Sequence, residues 1–269
     1  LFYALSNGSS IVTVQDRSVD TICQAIEKYR VEVLPVTPTF LNLLSLSDVY
    51  EAYDLSSLQI VTYGTEVMPK ATLERAHAIL PKATFLQKYG TTEVGTLRSK
   101  SRSSDSVWVR IGGEGYQTRV VNNMLEIKAE SAMLGYINAP SPFTEDGWFI
   151  TGDIVEVEGD YLRILGRNSD LINVGGQKVY PAEVENVILE LDDVIEVRVY
   201  GEANPILGEV VCADIRTLHN LEARPFTHAV KKHCASKLDS YKVPMKVNLI
   251  DDIMHTERFK LKRHPMQSG

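Results

Sequence analysis

The chain has 269 residues, 44% of them hydrophobic, enough to bury a sizeable core in one large or two ordinary domains. Its formal charge of −7 leaves no uniformly basic face and excludes wholesale neutralisation of a nucleic-acid backbone as its main task. No apolar run approaches the roughly 20 residues that span a bilayer, so no transmembrane segment is expected.

The opening stretch LFYALSNGSSIVTV reads as a helix and a strand entered in the middle, as in a fragment. Val19, Ile22, Cys23, Ile26 and Tyr29 recur at helical spacing, and the β-rich run VEVLPV from Val31 ends at Thr37 and Pro38. LQIVTYG from Leu58 predicts a buried strand, KATLERAHAIL from Lys70 an amphipathic helix, and ATFLQKYG from Ala83 a further strand. Such alternation with short connections predicts a layered α/β unit with a mainly parallel sheet.

From Ser99 to about Gly166 the period becomes two, in VWVRI, TRVV, MLEIKAE and YLRILG, with Gly, Asn and Asp between them, as in a small β subdomain. After Arg167 a hairpin-like LINVGGQKVYP leads into a helix that starts at Pro181. Strands at VIEVRVYG and EVVCADIR, a helix around Phe226 to Leu238 and a strand at KVNLID complete an α+β module. The expected class is α/β: a partial layered α/β large domain over 1–167 (layer about 1–98, β subdomain about 99–167), a hinge at 168–170, and a small mobile α+β C-terminal domain over 171–269.

Three strings carry candidate chemistry. YGTTE follows a predicted strand, where α/β folds place ligands. Tyr89 offers an aromatic face, Gly90 a close backbone approach, Thr92 a donor to phosphate and Glu93 a hard-metal ligand, with Thr91 among them as a further cofactor-binding candidate. DGWFITGD sets Asp153 at a turn between β segments, where a carboxylate can accept two hydrogen bonds from a ribose diol. In GRNSDLINVGGQKVYPAEVE, Arg167 is a fixed fork of donors and Gly175 with Gly176 marks a tight turn. Taken singly, each string is equally a turn with a surface charge.

Cys23, Cys212 and Cys234 are odd in number and unpaired by any CxxC spacing. They read as buried thiols in a reducing, cytoplasmic compartment. The six histidines have no spacing suited to a metal site; His228 and His233, five apart, do not share a helix face.

The three strings in this order, joined by GYIN at Gly135 to Asn138 and by the terminal VPMKVNLIDDIMHTERFKLKR, resemble the adenylate-forming superfamily of acyl-CoA synthetases, aryl-CoA ligases, luciferases and peptide-synthetase adenylation domains. The resemblance covers nearly the whole chain. It implies activation of a carboxylic acid by MgATP as acyl-AMP, followed by transfer to a pantetheine thiol, of CoA or of an acyl carrier protein. YGTEVMP would supply Gly64, Thr65 and Glu66 around the adenine and acyl pocket, with Val36, Tyr63 and Gln87 in the pocket floor. Tyr89 would lie by the adenine, Thr92 by the α-phosphate, Glu93 on Mg²⁺, and Asp153 with Arg167 on the ribose. Gly176 would line the pantetheine tunnel.

The family's catalytic lysine stands in a pattern of Thr, two residues, Gly, Lys, two residues, Arg, which here reads from Thr256 to Arg263 and nominates Lys260. Two departures stand out: Phe259 replaces the glycine, and Ser169 replaces the usual charged hinge residue. No Ser/Thr/Gly-rich loop ending in Lys, which the family uses for the outer phosphates, is present. By itself the chain is expected to be inactive or feeble. An amino-acid adenylation domain and a non-catalytic nucleotide-binding homologue remain the alternative readings.

Overall fold

A computed structural model describes residues 2–262. Arg263, the last residue of the lysine pattern, lies outside the described residues. The first unit begins with α1 (Phe2–Ser6), α2 (Val19–Tyr29), β1 (Val33–Val36) and α3 (Pro38–Leu46). It continues with β2 (Ile60–Tyr63), α4 (Lys70–Ile79) and β3 (Thr84–Gln87). Ser18 starts α2 by accepting from Thr21 N at 3.3 Å, and Arg30, left-handed at φ +53°, ends it. The apolar stripe found in the sequence buries Cys23 and Ile26. Strands β1, β2 and β3 pair in parallel, with Val33 opposite Ile60 and Ile60 opposite Thr84. They form one core with Phe40, Leu41, Leu44, Leu73 and Phe85.

The second unit is a seven-stranded sheet in the order β4-β5-β6-β10-β9-β8-β7. Its members are β4 (Tyr89–Thr91), β5 (Gly95–Ser101), β6 (Val109–Gly112), β7 (Tyr116–Val121), β8 (Met124–Ala129), β9 (Phe149–Glu158) and β10 (Tyr161–Arg167). All its pairings are antiparallel, as expected where hairpins join period-two segments. Val94, Leu97, Val109, Leu125, Ile127 and Val155 form its core.

The third unit holds β11 (Ile172–Val174), β12 (Gln177–Val179), α5 (Pro181–Ile188), β13 (Val194–Asn204), β14 (Gly208–Thr217), α6 (Ala223–Ala235) and β15 (Lys246–Leu249). The sheet runs β12-β11-β14-β13, with β15 parallel to β14. Its own core packs α5 and α6 against the sheet through Val184, Ile188, Phe226 and Val230. A short 3-10 turn at Asn168–Asp170 joins it to β10, at the position expected for a hinge.

Four local expectations are corrected. The strand expected after Gly8 is absent: Ile11 and Val12 are exposed and have no neighbouring strand to complete a ladder. α3 was not anticipated, because Pro38–Leu46 is apolar on most sides and shows no periodic stripe. It buries Pro38, Phe40, Leu41, Asn42 and Leu44. Its start is nonetheless regular, with Thr37 accepting from Phe40 N at 3.1 Å and Pro38 in the first turn. The β sheet begins at Tyr89, ten residues before the expected change at Ser99. Asp153 lies within β9, not in a turn.

Asn42 joins the first unit to the third. Its Nδ2 donates to Ile195 O at 2.7 Å, while its Oδ1 accepts from Thr72 Oγ1 at 3.0 Å and Arg75 Nη2 at 2.9 Å. Arg75 Nη1 then reaches Leu189 O at 3.1 Å. Truncating Asn42 strips partners from buried groups on both sides of this joint. Asn42→Ala is therefore expected to lower unfolding stability by about 1–3 kcal/mol, seen as a lower denaturant midpoint at unchanged slope.

Candidate functional site

A cleft of about 240 Å³ opens where the three units meet. It is walled by Thr65, Glu66 and Val67 after β2, Gln87 to Gly90, Asp153 of β9, Ile164, Gly166 and Arg167 of β10, and Lys260 and Leu261. Its polar centre depends on strand register. Tyr161 pairs with Glu158 and Ile164 with Val155, but a bulge between Ile164 and Gly166 shifts the ladder so that Arg167 stands opposite Asp153. Gly166 takes φ +145° at this bulge.

Asp153 is only 7% exposed and is held from both sides. Its Oδ1 accepts from Arg167 Nε at 2.7 Å, and its Oδ2 from Tyr89 Oη at 2.5 Å. Below it, Asp153 N donates to Thr151 Oγ1 at 3.0 Å, and Thr151 Oγ1 donates to Leu125 O at 2.7 Å. An ionised carboxylate offers about four acceptor positions, so each oxygen keeps one for an incoming hydroxyl. Burial pushes the Asp153 carboxyl above its ordinary value, while the Tyr89 hydroxyl and the Arg167 guanidinium pull it back. Burial and the neighbouring Asp153 push the Tyr89 phenol far up, so it remains a donor.

Gly64 and Gly90 are required by backbone packing. A Cβ at Gly64 would lie 2.5 Å from Lys88 O, and one at Gly90 would lie 2.8 Å from both Gly95 O and Thr96 Cα. The close approach served by Gly90 is thus to its own hairpin partner. Thr65 follows with φ +71°, a strained conformation of the sort that gathers at ligand sites. Glu66 lines the cleft with both carboxylate oxygens engaged: its Oε2 accepts from Thr39 Oγ1 at 2.8 Å and its Oε1 from Leu261 N at 2.6 Å. It ties the lysine segment to α3.

Glu93 sits past the end of β4, where its Oε1 accepts from Tyr136 Oη at 2.6 Å and its carbonyl accepts from Met133 N at 2.7 Å. The Tyr136 hydroxyl, opposed by partial burial, holds the Glu93 carboxyl below its ordinary value. The GYIN string therefore acts as a brace for the predicted metal ligand, a role that its sequence did not disclose. Among the described residues no group of three or more His, Cys, Asp and Glu side chains could hold a metal by itself.

The structure brings Thr65, Glu66, Tyr89, Gly90, Asp153, Arg167 and Lys260 to one cleft. Gly64, Thr91, Thr92 and Glu93 adjoin it in sequence but are not part of its wall. Gly176 stands apart in the β11–β12 turn at φ +86°, where its N donates to Asn173 Oδ1 at 2.9 Å. Val36 and Tyr63, expected in a pocket floor, belong to the first core, with Tyr63 at 1% exposure. Gln87 does line the cleft, and its Oε1 is a buried acceptor with no protein partner. Cys23, Cys212 and Cys234 are free and buried, and no helix among the described residues is long and apolar enough to cross a membrane.

Residues 1–128 match the family model described as AMP-binding enzyme, and residues 183–260 match the AMP-binding enzyme C-terminal domain. Indoleacetate–CoA ligase of Aromatoleum aromaticum is 28% identical over 97% of this chain and 54% of its own length. The chain thus spans about half the length of such curated relatives. An anthranilate CoA ligase solved with anthranoyl-AMP shares the fold at TM-score 0.83 and 22% identity, over 95% of this chain and 53% of that one. MatB from Rhodopseudomonas palustris with ATP bound aligns at TM-score 0.79 and 26% identity, over 96% of this chain and 54% of that one. Its apo form aligns at TM-score 0.66 and 27% identity over the same shares. Two matching models, relatives along almost the whole sequence and a common fold place the chain in the AMP-binding, adenylate-forming enzyme family.

Proposed function

We propose that this chain carries the nucleotide-binding and lysine-bearing part of an AMP-forming acid–thiol ligase. The observation that carries this reading is the meeting of Lys260 with the Tyr89–Asp153–Arg167 constellation in one cleft, although more than ninety positions separate Lys260 from Arg167 in the sequence. Asp153 accepts both ribose hydroxyls in the positions left free by Tyr89 and Arg167. Gln87 lines the same cleft, where its side-chain amide oxygen accepts a hydrogen bond from the exocyclic amine of adenine.

The carboxylate of the acid attacks the α-phosphorus of ATP, forming acyl-AMP and releasing pyrophosphate. Lys260 contributes a fixed positive charge where negative charge builds up on the phosphoryl oxygens and the acid. Glu93, braced by Tyr136, would hold Mg²⁺ together with substrate phosphates, and the ion would neutralise phosphate charge. A single carboxylate suits this ion, which is bound through one or two carboxylates plus phosphates. A pantetheine thiol then attacks the acyl carbon and AMP leaves. Its carrier is CoA, the acceptor in the names of the relatives, with a carrier protein as the other form of the same thiol. Asn168–Asp170 is the hinge about which the third unit turns between the two steps.

Acid-dependent exchange of radiolabelled pyrophosphate into ATP tests this reading, on this chain and on a form completed with the upstream half of a curated relative. Lys260→Ala should reduce exchange by about 10²–10³-fold at unchanged AMP affinity. Absence of exchange from both forms across aryl, fatty and amino acids, with AMP still bound, would favour a non-catalytic nucleotide-binding protein.

The Asp153 environment also sets a pH dependence. Because its folded-state carboxyl lies above the ordinary value, protonation on acidification begins at a higher pH than for a free Asp, about 3.9. AMP affinity should fall accordingly. Tyr89→Phe removes a hydrogen bond that favours the ionised form, so this fall should move to still higher pH in calorimetric titrations.

A further inference from the structure

The residue before Lys260 departs from the glycine of the resembled pattern, and its surroundings show why the departure is tolerated. His255 pairs antiparallel with Leu261, Thr256 N donates to Lys260 O at 2.8 Å, and Phe259 N donates to Thr256 O at 2.8 Å. A three-residue hairpin connection of this kind ends in a left-handed residue, where glycine is favoured. Phe259 holds that place at φ +52°, a conformation unfavourable to a bulky residue.

The side chain supplies what the backbone loses. Its ring meets Phe40 of α3 edge-on, with centroids 5.3 Å apart and planes at 77°, and stacks on His255 at 5.2 Å and 22°. Its carbonyl accepts from Thr37 Oγ1 at 2.7 Å, the same hydroxyl that caps α3. Phe40 is 2% exposed and belongs to the first core. His255 is anchored on the other side, where its Nδ1 bonds Glu196 of β13. Glu196 in turn pairs with Arg216 Nε at 2.6 Å. The ring of Phe259 is therefore held between a helix of the first unit and a histidine fixed to the third.

We propose that Phe259 is a positioning residue: an aromatic clasp that closes the third unit on the first and seats Lys260 at the cleft before any nucleotide binds. A glycine there would satisfy the turn and keep the backbone bonds to Thr37 and Glu66, but would remove the ring contacts to Phe40 and His255 that hold the hairpin most firmly. The clasp rests on the reading of Lys260 above only in its catalytic consequence. Acid activation is favoured, and thiol transfer is slowed because the hairpin must first withdraw its ring from Phe40.

The test uses the full chain without nucleotide, labelled at Lys82→Cys and Asn220→Cys, exposed positions on the first and third units. Burial pushes the native Cys23, Cys212 and Cys234 thiols up to about 11, so they compete poorly for label. Spin-label distances should give one narrow population in the parent. Phe259→Gly, which also relieves the backbone, should broaden it or add a second population, with Phe259→Leu between the two. In the exchange-competent form, Phe259→Gly should lower pyrophosphate exchange relative to transfer of preformed acyl-AMP to CoA by about tenfold, since small misplacements of a reacting group cost up to about 10²-fold. Superimposable distances for parent and Phe259→Gly would overturn the clasp even where exchange is intact. Distances that respond in a protein without exchange would retain the clasp and remove the ligase reading.

Discussion

The arrangement of the cleft depends on one register shift in one strand pair. Without the bulge between Ile164 and Gly166, the ladder set by Tyr161 and Glu158 would place Gly166 opposite Asp153 and leave Arg167 opposite Gly152. With it, a cation faces a buried carboxylate across the strands, and the carboxylate is held by Tyr89 on its other side. The same residue ends β10, and the linker to the third unit begins at once. The bulge therefore fixes two things together: where the ion pair forms and where the chain leaves the central sheet for the third unit.

Around that point the polar contacts divide the labour. Those from β4 and β10 orient a carboxylate that keeps free acceptor positions, whereas those from Thr37 at the start of α3 and from Glu66 grip the backbone of the lysine hairpin. The first group is built on paired strands and is rigid. The second group consists of a few hydrogen bonds and one ring, a smaller contact than the paired strands make.

Much of this was legible in the sequence because its elements obey a clear period. The stripe from Val19 to Tyr29, the period-two segments of the central sheet and the Pro181 helix start all match observed elements. The weaker parts have physical reasons. α3 has no exposed face: its polar residues Thr39, Asn42 and Ser45 are buried or half-buried, since the helix is packed between the first core and the third unit. Asp153 was placed in a turn because Gly152 precedes it, yet the strand continues through both residues, with Gly152 at φ +77°. The Glu66 bond to Leu261 links positions 195 apart and carries no local signal. Motif order brought Lys260 together with Asp153, whereas the partners that seat the lysine are visible only after folding.

The three buried thiols have a further consequence for the proposed chemistry, which would pass through a reactive mixed anhydride. Acyl-AMP acylates whatever nucleophile reaches it, and a thiolate is the most reactive one that a chain carries of its own. With the Cys23, Cys212 and Cys234 thiols pushed up to about 11 and enclosed in the cores, only roughly one in 10⁴ would be ionised at neutral pH, and none faces the cleft. Under the proposed reaction the chain would be inert toward an acyl-AMP formed in its cleft, and the anhydride would be left for a thiol that arrives from outside.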